Sequence, residues 1–140
     1  MSFMEKTAWV MGGILIVAGA LYFRMVIAAS EALGATAPPI IPFVVSYVVI
    51  IIIASIVLMG IVGATSPDEA DAPADERERR IIDRAGHWSG YVLGFGVLVG
   101  LYQFWVREDG NLLFHICFAS LMLSQIAEYA LQIWFYRRGI

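Results

Sequence analysis

Four long apolar stretches, separated by short polar breaks, dominate the chain: about Ala8 to Ala29, Ile41 to Gly63, Trp88 to Val106 and Leu113 to Tyr136. About 30 Å of hydrocarbon is crossed by roughly 20 apolar residues rising about 1.5 Å each, so every stretch is long enough for a membrane-spanning helix. Between the first two, Ser30 to Pro42 carries Gly34, Pro38, Pro39 and Pro42, which stop one helix before the next begins. Spans three and four are joined by Arg107-Glu108-Asp109-Gly110-Asn111, a charged turn whose Asp-Gly step favours chain reversal. The pattern predicts two helical hairpins.

The one long polar stretch, Ala64 to His87, opens with turn formers and acids (Asp68, Glu69, Asp71) and then becomes Asp75-Glu76-Arg77-Glu78-Arg79-Arg80-Ile81-Ile82-Asp83-Arg84. Asp75 with Glu78 reads as a capping box, and Glu76 with Arg80 and Arg79 with Asp83 as i,i+4 ion pairs. A helix is therefore predicted from about Asp75 onward into span three. No internal repeat is visible beyond the two hairpins. The expected fold is all-α: a single transmembrane domain over residues 1–140, folded as a four-helix bundle.

Composition agrees. Hydrophobic residues make up 60% of the chain, charged residues 15%, and mean hydropathy is +0.77, which leaves too little polar surface for a water-soluble globule. A net charge of −3 without a long basic run gives no footprint for nucleic acid. One cysteine, Cys117, builds neither a disulfide framework nor a Cys-rich metal site. The expected partners are lipid and other membrane subunits or copies of this chain.

Lys and Arg in short loops set orientation. Lys6, Arg77, Arg79, Arg80, Arg84, Arg137 and Arg138 fall on one side and Arg107 on the other, so both termini and the long loop are expected in the cytoplasm. Trp9, Trp88, Trp105 and Trp134 fall where interfacial aromatics belong. The first span resembles a signal peptide in following Lys6 and preceding Ala35-Thr36-Ala37, but its apolar run is too long and Arg24 interrupts it, so it reads as a retained anchor.

Glu128 is the most unusual residue, about seven residues or roughly 10 Å inside the cytoplasmic end of span four. Ser124, Gln125 and Gln132 lie at i−4, i−3 and i+4 and make a polar stripe with it, which must face protein or water. Two readings are open. Glu128 is a protonatable or cation-binding site, or it is a buried carboxyl satisfied by neighbouring helices, through Ser55 on span two or across an oligomer interface. Arg24 lies about five residues before the outer end of span one, where it can snorkel or pair with Glu31, Glu108 or Asp109. Gln103 is a plausible hydrogen-bond partner for it, and a substrate-anion role is the sharper alternative.

His87 and His115 are expected as interfacial histidines near opposite faces, too far apart to share a metal or haem. Neither a metal nor any other cofactor is implied. Gly90 with Gly94, and Gly96 with Gly100, are small-xxx-small pairs that suit close helix approach and make span three the expected packing core, with a homo-oligomer contact as the alternative. The arginine-rich helix carrying Arg77, Arg80 and Arg84 sets orientation, with lipid binding or partner docking as the alternative. No nucleophile-base arrangement for hydrolysis is present in the pattern.

The run Asp75 to Ile82 leading into a span, with the closing Tyr136-Arg137-Arg138-Gly139, resembles small, largely uncharacterised prokaryotic four-span membrane proteins that carry an Asp-Glu-Arg motif before the third span. The resemblance implies a four-helix bundle in a prokaryotic cytoplasmic (inner) membrane and assigns no catalytic residue. Small multidrug exporters also have four spans and an essential membrane glutamate, but on the first span, where this chain has no acid in the apolar core. The expectation is a non-enzymatic membrane protein acting by association, as an accessory or regulatory subunit or a homo-oligomer. The alternatives are a proton-coupled transporter or channel using Glu128, or a membrane enzyme or haem protein.

Overall fold

In a computed structural model, which describes residues 3–65 and 75–139, the chain folds into four α-helices: α1 (Phe3–Leu33), α2 (Ile41–Thr65), α3 (Glu76–Arg107) and α4 (Gly110–Arg138). No strand occurs among the described residues. All four helices are long and apolar enough to cross a membrane. Asp68, Glu69 and Asp71 lie outside the described residues.

The helix ends follow local chemistry. α1 passes Ala29 and stops at Leu33 because Gly34 supplies a left-handed φ of 65°. Ser30 then ties the outgoing loop back: its hydroxyl donates to the Val26 carbonyl (2.8 Å) and accepts from the Ala37 N–H (3.0 Å). Asp75 caps α3, but its carboxylate accepts from the Glu76 N–H at 2.7 Å, the reciprocal capping box with Glu78 being absent. Of the two expected ion pairs only Arg80–Glu76 forms, at 3.6 Å and well exposed; such a pair is worth little.

The α3–α4 turn departs from the Asp-Gly expectation. Glu108, not Gly110, takes the left-handed conformation (φ 53°), and its N–H closes α3 on the Phe104 carbonyl at 2.7 Å. Asp109 is needed immediately afterwards as the N-cap of α4, where its carboxylate accepts from the N–H groups of Asn111 and Leu112, both at 3.0 Å. Reversal must therefore be finished one residue earlier, and Gly110 is already helical.

Packing follows the order α2–α1–α4–α3. The most extensive interface is α3 with α4, then α1 with α4, then α1 with α2; no other pair packs along its length. Span three is thus not the centre: α4 is, with α3 and α1 on its two sides. The α1 seam reads Ala8, Gly12, Leu15, Gly19 and Tyr22, all buried at alternating four- and three-residue steps, the spacing that keeps one stripe facing a neighbouring helix. A side chain at Gly12 would touch Tyr129, and one at Gly19 would touch the Met122 sulfur, each at 3.5 Å.

Against α3 the close approach is made by Gly96 and Gly100. A Cβ at Gly96 would overlap the Ser120 hydroxyl and come within 2.6 Å of its Cβ, while one at Gly100 would meet Ile116, Leu113 and Cys117 at 3.2–3.4 Å. Cys117 is a small filler there. Gly90 and Gly94 instead face open space, so only one of the two glycine pairs serves this interface. α2 has no buried residue in its apolar window, an arrangement that lipid tolerates and water does not.

Candidate functional site

The inner half of α4 holds the polar stripe, and its four members have different surroundings. The Ser124 hydroxyl is buried and donates to the Ser89 carbonyl of α3 at 2.9 Å. Ser89 in turn donates to Gly86, so this end of the stripe is absorbed into the α3–α4 interface. Gln132 is buried and its amide donates to the Glu128 carboxylate at 3.4 Å. Glu128 is half-buried, and Gln125 is exposed with no hydrogen-bond partner among the described residues. Ser55 does not reach them: its hydroxyl donates within its own helix to the Ile51 carbonyl at 2.6 Å.

Arg24 stands apart from this stripe. It follows Tyr22, whose ring meets that of Phe118 at 4.9 Å, and Phe118 precedes Glu128 by ten residues, about 15 Å along α4. Its side chain is exposed, with no ion pair to Glu31, Glu108 or Asp109 and no hydrogen bond to Gln103 among the described residues. Glu128 and Arg24 therefore do not form one site.

At the opposite end of the molecule a polar clamp emerges that sequence reading did not single out. The α1–α2 loop is fastened to the start of α4 by two side-chain hydrogen bonds, beside Asp109 with Thr36 near its carboxylate. The Asn111 amide donates to the Thr36 carbonyl at 3.4 Å, and the His115 Nε2–H donates to the Ala37 carbonyl at 2.8 Å. His115 is 6% exposed and is a buried bracket instead of an interfacial histidine. Its ring lies in an aromatic cluster with Tyr22 and Phe114, which continues through Phe118 to Tyr47 of α2. The Nδ1 of His115 and the hydroxyl of Tyr22 are buried without hydrogen-bond partners. Contacts between residues 75 or more positions apart leave no periodic trace; His115 in an apolar run was the only signal.

The N–H of Leu112, the Thr36 hydroxyl, the N–H of Asn111 and the nearby Arg107 charge together hold the Asp109 carboxyl below the usual carboxylate range. A carboxyl with a lowered native pKa favours the fold when ionised. That contribution is complete above the ordinary carboxylate pKa of about 3.9 and disappears as the pH falls through the lowered native value. Wild type is accordingly expected to exceed D109N in stability at neutral pH, with the gap closing below about pH 4. Detergent-solution unfolding from pH 7 to pH 3 checks this; a gap independent of pH would contradict it.

His87 and His115 lie at opposite ends of the helices, and among the described residues no group of three or more His, Cys, Asp or Glu is arranged to hold a metal. At the charged end, Arg77 reaches the C-terminal turn of α4, where its guanidinium would lie 3.8 Å from a Cβ at Gly139; a cation there suits the negative end of the helix dipole. Arg137 lies over the Trp9 ring at 5.3 Å and Arg138 over the Trp134 ring at 4.6 Å, so the first turns of α1 and the last turn of α4 stand at this same end of the molecule. Arg80 and Arg84 point elsewhere, into an open groove between α3 and α4. Comparison with protein families, curated proteins and solved structures returns no match for this chain.

Proposed function

We propose that the protein is a non-enzymatic integral membrane protein that acts by association, as an accessory or regulatory subunit or as a homo-oligomer. The observation that carries this reading is the uncovered edge of the polar stripe: Gln125 is exposed and Glu128 half-buried on a helix that otherwise has the character of a membrane span. Groups of this kind facing lipid are costly, and contact with another protein surface relieves that cost. The open order α2–α1–α4–α3 supports it, because α3 covers the Ser124 edge of the stripe while the Gln125 edge stays exposed. Gly90 and Gly94, open on the outer face of α3, offer a second surface of close approach. In this reading the bundle sits in a prokaryotic inner membrane with both termini in the cytoplasm, on the side rich in arginine.

Native mass determination of the gently solubilised protein tests the proposal. The wild-type chain is expected to run with copies of itself or with other subunits, and Q125L/E128L to shift at least half of it to the single chain while helix content is kept. A single chain for wild type under the gentlest conditions would overturn the reading. So would an E128Q variant that assembles normally but loses proton-dependent flux in liposomes, which would make Glu128 a titrating transport residue.

A further inference from the structure

α3 is 32 residues long, about 48 Å at 1.5 Å per residue, against about 30 Å of hydrocarbon. Its first three turns therefore project past the apolar layer. Arg80, Arg84 and His87 stand on that projection at i, i+4 and i+7, the spacing that puts side chains on one helix face. They line an open groove of about 700 Å³, together with Trp88 of the same helix and Phe135 of α4. A second groove of about 310 Å³ shares Arg84, Trp88 and Phe135 with the first and continues to Leu131 and Trp134. One furrow thus runs from a cationic mouth to an apolar floor.

The mouth keeps one cation, Arg84, outside any ion pair among the described residues. Arg80 is joined to Glu76, but Arg84 has no carboxylate in ion-pair range among the described residues; its guanidinium lies 5.9 Å from the centre of the Phe135 ring. The His87 ring contacts only the edge of Tyr91 among the aromatic pairs, leaving its ring nitrogens for other partners. Asp83 is the one acid in the lining. Arg138, held over Trp134, adds a further cation from α4 at the border of the deeper groove.

We propose that this furrow is a binding site for one anionic phospholipid of the arginine-rich leaflet. Its phosphate takes charge-assisted hydrogen bonds from Arg84, Arg80 and His87, and an acyl chain lies along Trp88, Phe135, Leu131 and Trp134. Guanidinium forks suit the oxygens of a phosphate. The apolar floor selects a bilayer lipid over free phosphate, which could use only the mouth. The proposal rests on the membrane-spanning reading and is independent of whether the chain associates.

The test is titration of delipidated full-length protein in neutral detergent, read by native mass spectrometry, with phosphatidylglycerol, phosphatidylcholine or inorganic phosphate as the probe. Wild type is expected to hold one phosphatidylglycerol at a concentration about thirtyfold lower than phosphatidylcholine, a preference of the size expected for two basic side chains near a headgroup. R80Q/R84Q is expected to abolish that preference and R84Q alone to weaken it. R79Q/R107Q, with the same change in net charge, is expected to keep it. Absence of preference in wild type, equal loss in R79Q/R107Q, or displacement of phosphatidylglycerol by millimolar inorganic phosphate would each overturn the proposal. These outcomes are separate from the oligomer measurement, so failure of one does not imply failure of the other.

Discussion

Gly96→Ala is expected to lower stability by about 2 kcal/mol, whereas Gly94→Ala, two residues away on the same helix, is expected to leave it within about 0.5 kcal/mol of wild type. The added Cβ at Gly96 would lie on the Ser120 hydroxyl and 2.6 Å from the Ser120 Cβ, atoms fixed to the α4 backbone, while at Gly94 it would meet nothing within 4 Å. Rotating the Ser120 hydroxyl does not relieve the Cβ overlap, so α3 and α4 must separate. That interface is the most extensive in the molecule, and the Ser124–Ser89 hydrogen bond lies within it. Reversible unfolding in mixed detergent, followed by helix content, measures both variants. Equal effects would show that the α3–α4 approach at Gly96 is looser than described; an altered oligomeric state in Gly94→Ala with unchanged stability would assign that glycine to contacts between chains.

His115→Ala is expected to cost about 3 kcal/mol and to loosen the α1–α2 loop selectively. Removing the ring leaves the Ala37 carbonyl without its donor, a loss of about 1–3 kcal/mol for a buried acceptor. It also empties space beside Tyr22 and Phe114, and large-to-small changes in packed interiors add a comparable amount. His115→Gln keeps an N–H donor and is expected to recover part of the loss. Proteolysis of the loop around residues 34–40 in detergent gives a local readout, expected to rise in His115→Ala before global unfolding. Unchanged cleavage would mean that Asp109 and Asn111 hold the loop without the histidine.

The two predictions concern the same kind of information, close approach between helices, and sequence conveyed it unequally. The glycine spacing identified small faces on span three, but a small-xxx-small pair says that approach is permitted, not which partner makes it. Gly96 and Gly100 point at α4 and Gly90 and Gly94 point away, a choice made by the rotation of α3 against Ser120 and Ile116. Likewise the stripe Ser124, Gln125, Glu128 and Gln132 was legible from i,i+3 and i,i+4 spacing. Its division into a Ser124 used inside the interface and a Gln125 left outside was not, because that depends on α3 covering one edge of α4 and on no helix covering the other.

The turn between α3 and α4 shows the same limit at short range. Asp-Gly marked the place of reversal, yet two local needs compete there: a left-handed residue to close α3 and an acceptor to cap α4. Asp109 is the better cap, so Glu108 carries the positive φ.

Four helices, their approximate ends and their suitability for a membrane were fixed by the chain's own order of residues, because apolar runs of this length, punctuated by Gly, Pro and capping acids, have few other ways to satisfy backbone hydrogen bonds. Tertiary structure alone decided that α4 is the centre, that α2 touches little beyond α1, that His115 clamps a loop 78 residues away, and that Arg80 and Arg84 open onto an apolar furrow. These features depend on helix rotation and long-range pairing. Neither is encoded in local periodicity, since one apolar helix offers many nearly equivalent faces until its neighbours select among them.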